Sequence, residues 1–361
     1  MSVVVVLSLD HWHAGLCGFC GGEPMLCPRL DRLAAESAVF DRHFSTAPAG
    51  DESVNGLSWA GMGWGMGRIE ISAAERFEAA GVGVEVISDA QPEWLALAGW
   101  ESVESADGGL ERSTVEAVGR LARSTEEHRM LWVAASAPAE TEQEEQEEQE
   151  EQEEQGEESD WLENLEAIDR ALGGFDRCVG AAIDGLEQAG LSDEALLVVT
   201  GGRGAWLGDR GFEDPARAAL HEERLRTPLL LRGPGIEPCQ RRLELVQVID
   251  LLPTLLAWFA GDRGGEGLRG INLLSLLEQG GSGGHHEIVV QDAQGGYGIR
   301  SHDLFLVRSA GEEDEPRLFS KPDDAWDLVD VSGQGLEEVQ RLGDRLDELL
   351  GPMESTDAPS D

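Results

Sequence analysis

The sequence predicts an α/β fold: a mostly parallel sheet sandwiched by helices, followed by a small C-terminal antiparallel subdomain. Three observations lead there. Short apolar runs at Val3–Leu9, Val84–Ser88, Met130–Ala135, Leu196–Thr200 and Pro228–Leu231 have the length and unbroken hydrophobicity of strands buried on both faces. Amphipathic stretches separate them, and strands alternating with helices call for crossover connections and a parallel sheet. Past Gly280 the pattern changes: a Gly-Ser-Gly-Gly linker leads to short runs at Glu287–Gln291, Gly298–Arg300 and Leu304–Val307, which read as antiparallel strands.

The helices follow in order. Pro28–Ser37 opens with proline at a first helical position and repeats apolar residues at Leu30, Leu33 and Ala34. Glu111–Arg123, Trp161–Ala189 and Val246–Ala260 follow the same logic, and Gly335–Leu350 reads as a closing amphipathic helix. The expected organisation is a core over 1–280, a small subdomain over 281–352 and a disordered tail over 353–361. An acidic insertion at 140–159 interrupts the core. Its Glu-Glu-Gln repeat from Glu140 to Glu158 contains no apolar residue and can bury nothing to offset chain entropy. It reads as a solvated insertion, or else as an acidic arm for a basic partner.

Composition limits the function classes. There are 71 acidic residues against 27 basic ones, a net charge of −44. The chain stays acidic even without the insertion. Such a surface repels phosphate backbones and anionic lipid, so neither nucleic acid nor a membrane surface is an expected partner. Lys321 is the only lysine. The five cysteines, an odd number in a chain of 361 residues, do not suggest a disulfide framework. Val3–Leu9 lacks a basic flank and a cleavage site, and no run reaches the length of a membrane span. Cytoplasmic residence is the expectation.

Three stretches together resemble sulfatases of the alkaline phosphatase superfamily. The first reads VVVVLSLDHWHAGLCGFCG and then CPRLDRLAAESAVFDRHFS, over residues 3–45. It is similar to the family's metal-binding first strand and its P-x-L-D-x-L-A-x-E helix. The second, LLVVTGGRGAWLGDRG, HEERLRTPLLLRGPGI and VQVIDLLPTLLAWFAGD over residues 196–262, resembles the run from the second metal-binding loop through R-x-P-L-x-x-R-G-P-G to D-L-x-P-T-L-L. The third, KPDDAWDLVDV at 321–331, looks like the C-terminal hairpin before the last helix. The resemblance runs from end to end apart from the insertion, and rests mostly on packing residues.

The resemblance implies a chemistry whose parts are largely absent. A sulfatase cleaves a sulfate ester with a formylglycine nucleophile and a divalent cation, usually calcium, held by several oxygen ligands. Asp10 matches the first metal aspartate and reads either as a site carboxylate or as a cap or turn residue; His11 stands where a second aspartate is common. The nucleophile loop C/S-x-P-x-R corresponds to Ala47–Val54, which puts Gly50 at the nucleophile position and Val54 at that of the orienting arginine. Ser53 and Ser58 are nearby hydroxyls outside the motif. In the second metal loop, Gly202 replaces the aspartate and Arg203 the following His or Asn, while Arg210 stands at another loop histidine. The catalytic lysines have no counterpart.

The resulting expectation is a catalytically impaired sulfatase-like protein acting by binding or assembly, with no cofactor and with a partner protein or an active paralogue. The alternative is an active sulfuric-ester or phospho-ester hydrolase with a calcium site rebuilt around Asp10, using His11 or His13 and a nearby serine or Asp51. Topology brings the loops after two strands to one sheet edge, so the sharpest expectation is an Arg203 guanidinium paired to Asp10 where a cation would sit. Other constellations read as structural. Cys17, Cys20 and Cys27 lack the second pair that a zinc site needs. His285 and His286 read as an inert surface pair. The alternating glycines at 61–67 do not match a dinucleotide fingerprint.

Overall fold

The computed structural model describes residues 2–22, 26–48, 71–90, 93–100, 102–106, 108–137, 153–206, 220–261, 267–278, 283–310 and 315–350. In chain order the core elements are β1 (Ser2–Asp10), α1 (Pro28–Ala35), β2 (Ala38–Phe40), β3 (His43–Phe44), α2 (Ala73–Ala79), β4 (Val82–Ser88), α3 (Glu93–Leu97), β5 (Glu104–Ser105), α4 (Leu110–Arg123), β6 (His128–Ser136), α5 (Glu153–Gln188), β7 (Ala195–Gly201), α6 (Glu222–Leu225), β8 (Leu229–Arg232), β9 (Gln240–Arg242), β10 (Val246–Gln247), α7 (Leu251–Ala260) and α8 (Leu273–Leu277). The C-terminal part adds β11 (Glu287–Gln291), β12 (Tyr297–Ser301), β13 (Leu304–Arg308), β14 (Arg317–Ser320) and α9 (Leu336–Leu350).

Eight strands form one sheet in the order β5-β4-β6-β1-β7-β8-β2-β9. Every neighbouring pair is parallel except those made by β8, which runs against β7 and β2. The alternation of the pleat divides the core. Val3, Val5, Leu7 and Leu9 of β1 face α1, α4 and α5, meeting Leu30, Val118, Leu172 and Phe175. Val4 and Val6 face the other way, toward Phe77, Leu252, Leu255 and Leu276 from α2, α7 and α8. Strands buried on both faces need continuous hydrophobic runs, which is why they stand out in the sequence.

Three boundaries differ from the sequence reading. The stretch 246–260 is not one helix. Gln247 and Asp250 form a reciprocal capping box that stops the chain as a short strand and a 3-10 turn before α7 starts at Leu251. Helix α5 begins at Glu153, inside the segment read as an insertion; Glu and Gln have good helix propensity and extend a helix anchored by Ile168, Leu172 and Phe175. The remainder of that segment, 140–152, lies outside the described residues, as does the tail from 353. Residues 321–331 are not a hairpin: β14 precedes them, and they continue as turns held by Asp324, which accepts from the amides of Leu328 and Val329 at 2.8 and 2.9 Å.

The C-terminal sheet, β11-β12-β13-β14, is antiparallel throughout. One face packs Ile288, Val290, Phe305 and Phe319 against Phe44, Leu225 and Leu245 of the core. The other is covered by Leu342 and Leu346 of α9.

Candidate functional site

The carboxyl ends of β1, β6 and β7 lie side by side. Asp10, the last residue of β1, pairs in register with Ser136 of β6, and Leu9 pairs with Gly201 of β7. Beyond the strands the two loops are stitched together: Gly202 N donates to Leu9 O at 3.1 Å and Trp12 N to Arg203 O at 2.8 Å. His11 turns the chain through a positive φ of 57° and donates its amide to Asp10 Oδ1 at 3.3 Å. This edge of an α/β sheet is where sites form.

The Arg203 guanidinium grips Asp10 with two bonds. Nε donates to Oδ1 at 2.9 Å, and Nη2 donates to Oδ2. The two side chains are 3% and 10% exposed. Burial alone would push the Asp10 carboxyl up; the Arg203 charge and its hydrogen bonds outweigh that and hold it below the ordinary carboxylate range. Gly202 makes room for the pair. A Cβ there would sit 3.0 Å from Asp10 Oδ1, tighter than ordinary contact. The pairing expected from topology is present, bidentate and buried.

This arrangement does not fit a hard cation. Asp10 already spends both oxygens on a fixed positive charge, and position 202 offers no side-chain oxygen. Among the described residues, no group of three or more His, Cys, Asp or Glu side chains could hold a metal ion. His13 is committed too: its Nδ1 accepts from Gly15 N at 3.1 Å, and its ring stacks on Trp326 with centroids 5.1 Å apart. Gly50, Val54 and Arg210 lie outside the described residues, as do Asp51, Ser53, Ser58 and the glycines at 61–67.

The remaining readings separate. Cys17 and Cys27 are buried among Trp12 and Leu30 in the core, as packing residues should be. His285 is not inert: its Nε2 binds Asp250 Oδ1 at 2.9 Å, and Asp250 is 0% exposed. Asp250 also accepts from Gln247 N and Ile271 N, both at 2.8 Å. Burial works against charge on His285, but the bond and the charge of Asp250 prevail and raise its pKa. Sequence reasoning missed this pair, and also a cluster around Lys321. It missed as well a cleft of about 440 Å³ beside the ends of β4 and β6, lined by Asp89, Ser136, Gly109, Arg112, Arg177 and Cys178.

A family model described as Sulfatase matches residues 111–261, the segment that carries Gly202 and Arg203. Over those residues the chain is similar to sulfatases. It shares 26% identity over 171 residues with an N-acetylglucosamine-6-O-sulfatase of Bacteroides thetaiotaomicron, covering 44% of this chain and 30% of that protein. With arylsulfatase K of Xenopus laevis it shares 25% over 190 residues, covering 48% and 35%. The matched segments thus span about a third of those relatives. Solved structures align almost throughout: a 2-O GAG sulfatase superposes with a TM-score of 0.76 at 14% identity, covering 97% of this chain and 92% of that one. A phosphonate monoester hydrolase from Silicibacter pomeroyi gives 0.70 at 16%, covering 97% and 95%. The chain therefore has the mostly parallel sheet, flanking helices and small antiparallel sheet of that fold. No helix among its described residues is long and apolar enough to cross a membrane.

Proposed function

We propose that this sulfatase-like chain is hydrolytically impaired and works in the cytoplasm by binding or assembly, with a partner protein or an active paralogue. One observation carries the reading: the buried, bidentate Arg203–Asp10 pair stands where the family's chemistry calls for a divalent cation and its carboxylate ligand. An arginine cannot be deprotonated to vacate the site, and a metal would meet its charge at close range. The glycines at positions 50 and 202 point the same way, since neither supplies a nucleophile or a ligand.

The cleft beside Ser136 is the binding surface this reading offers, with Arg112 and Arg177 at its rim. The relatives' names make sulfated sugars the first ligands to try. A net charge of −44 disfavours a highly sulfated polymer and favours a basic protein partner.

A turnover assay decides between this reading and an active hydrolase rebuilt around Asp10. The full chain, produced aerobically with a formylglycine-generating enzyme, is expected to release no product above background from a chromogenic sulfate ester. Gly50→Cys alone should not change that. Robust turnover that disappears in Asp10→Ala would establish the rebuilt hydrolase instead.

A further inference from the structure

Lys321 is the single lysine in a chain with 27 basic residues, and its side chain is 0% exposed. A lone lysine at a surface would be unremarkable, and arginine serves every other basic position. The difference between the two is chemical: an ammonium can give up its proton and become a nucleophile, whereas a guanidinium cannot. Around Lys321 the structure sets the other parts of such a reaction. Nζ lies 2.5 Å from Asp327 Oδ1 and 2.5 Å from Glu222 Oε2, side chains that are 0% and 6% exposed. Nζ also donates to the Asp324 carbonyl at 2.6 Å. Asp327 is fixed from its other side by the Glu222 amide, which donates to Oδ2 at 2.6 Å. His221 Nδ1 stands 3.7 Å from Asp327 Oδ2, and Arg300 Nε stands 3.7 Å from Glu222 Oε2.

We propose that Lys321 and Asp327 become joined by an isopeptide bond, with Glu222 relaying the proton. Glu222 takes a proton from the Lys321 ammonium, and the freed Nζ lone pair adds to Asp327 Cγ. A C–N bond forms, one proton from the nitrogen and the one held by Glu222 pass to one carboxyl oxygen, and that C–O bond breaks to release one water. An ammonium and a carboxylate become one amide and one water; Glu222 ends as it began, and no oxidant or reductant is involved.

Four features favour condensation over a lasting ion pair. Nζ already touches the carboxylate whose carbon it attacks, so the step is effectively unimolecular. Water, the agent of the reverse reaction, is excluded by burial. Burial, with Glu222 alongside, pushes the Asp327 carboxyl up to about 6 against the pull of Lys321, giving access to the neutral acid that an amine can attack. The product also removes two buried charges, while the remaining carboxylate of Glu222 keeps Arg300 as its counter-charge. The bond would lock the turn carrying Trp326, whose ring stacks on His13 beside Asp10.

The test is the mass of the full, untagged chain, followed by amine labelling after denaturation and peptide mapping. The expected result is a mass lower by one water, a Lys321–Asp327 cross-linked peptide, and an amine reagent that finds the N-terminus but not Lys321. Glu222→Gln, checked for folding by circular dichroism, should recover the full mass and a labelled Lys321. A wild-type chain at full mass with Lys321 labelled would overturn the proposal, as would a water loss mapped elsewhere. Loss of water persisting in Glu222→Gln would overturn the relay role.

Discussion

Arg203 and Asp10 are 193 residues apart and meet only because β1 and β7 are neighbours. Arg203→Ala should leave Asp10 as a buried carboxylate without its counter-charge, and cost about 3 kcal/mol in denaturant unfolding near neutral pH. The sign of its pH dependence follows from the lowered pKa. Asp10 contributes stability that is complete above its ordinary value of 3.8 and is lost as pH falls through the lower folded value. The gap between wild type and Arg203→Ala should therefore narrow on acidification; a gap unchanged between neutral pH and about pH 2 would contradict the pairing. This pair was legible because a strand-end aspartate and a strand-end loop on a parallel sheet must share an edge. His285 was not legible, because its partner Asp250 sits inside the apolar run at 246–260, which reads as one continuous helix.

Elements that bury both faces are the ones the sequence announces, as β1, β6 and β7 do with their unbroken Val, Leu and Ala runs. The turns at 321–331 and the short strand β14 carry no such signal, since their form depends on Asp324 accepting from the nearby Leu328 and Val329 amides and on Lys321 meeting the distant Glu222. The Asp250–His285 pair ties the segment before β11 to the start of α7, and its behaviour tests that link. His285 has a raised folded pKa, so its contribution is complete below the ordinary value of 6.5 and fades as pH rises through the higher folded value. Thermal melts between about pH 6 and 9 should show wild type losing stability with a slope that His285→Gln lacks. Parallel curves would remove the link. Replacing 142–152 with a short Gly-Ser loop should shift the melting temperature little, because that sequence has no apolar residue and loop entropy grows slowly with length. A drop of many degrees would show that the segment packs.

At the scale of the molecule, the fold is shared with solved sulfatases while the edge of its sheet holds a guanidinium paired to Asp10. The same charge balance that shapes partners also bears on stability: a net −44 repels itself, and added salt should raise the melting temperature by screening. A fall with salt would instead give greater weight to the ion pairs. So acidic a chain also attracts calcium loosely, so a cation site must be separated from that background. The direct measurement is calcium titration by calorimetry of the wild-type chain and of Asp10→Asn, at one fixed and moderate salt concentration. With Arg203 holding the carboxylate, the two isotherms should coincide. A saturable one-to-one site in the wild type that Asp10→Asn abolishes would show that Asp10 still serves a metal, and that the arginine has not replaced it.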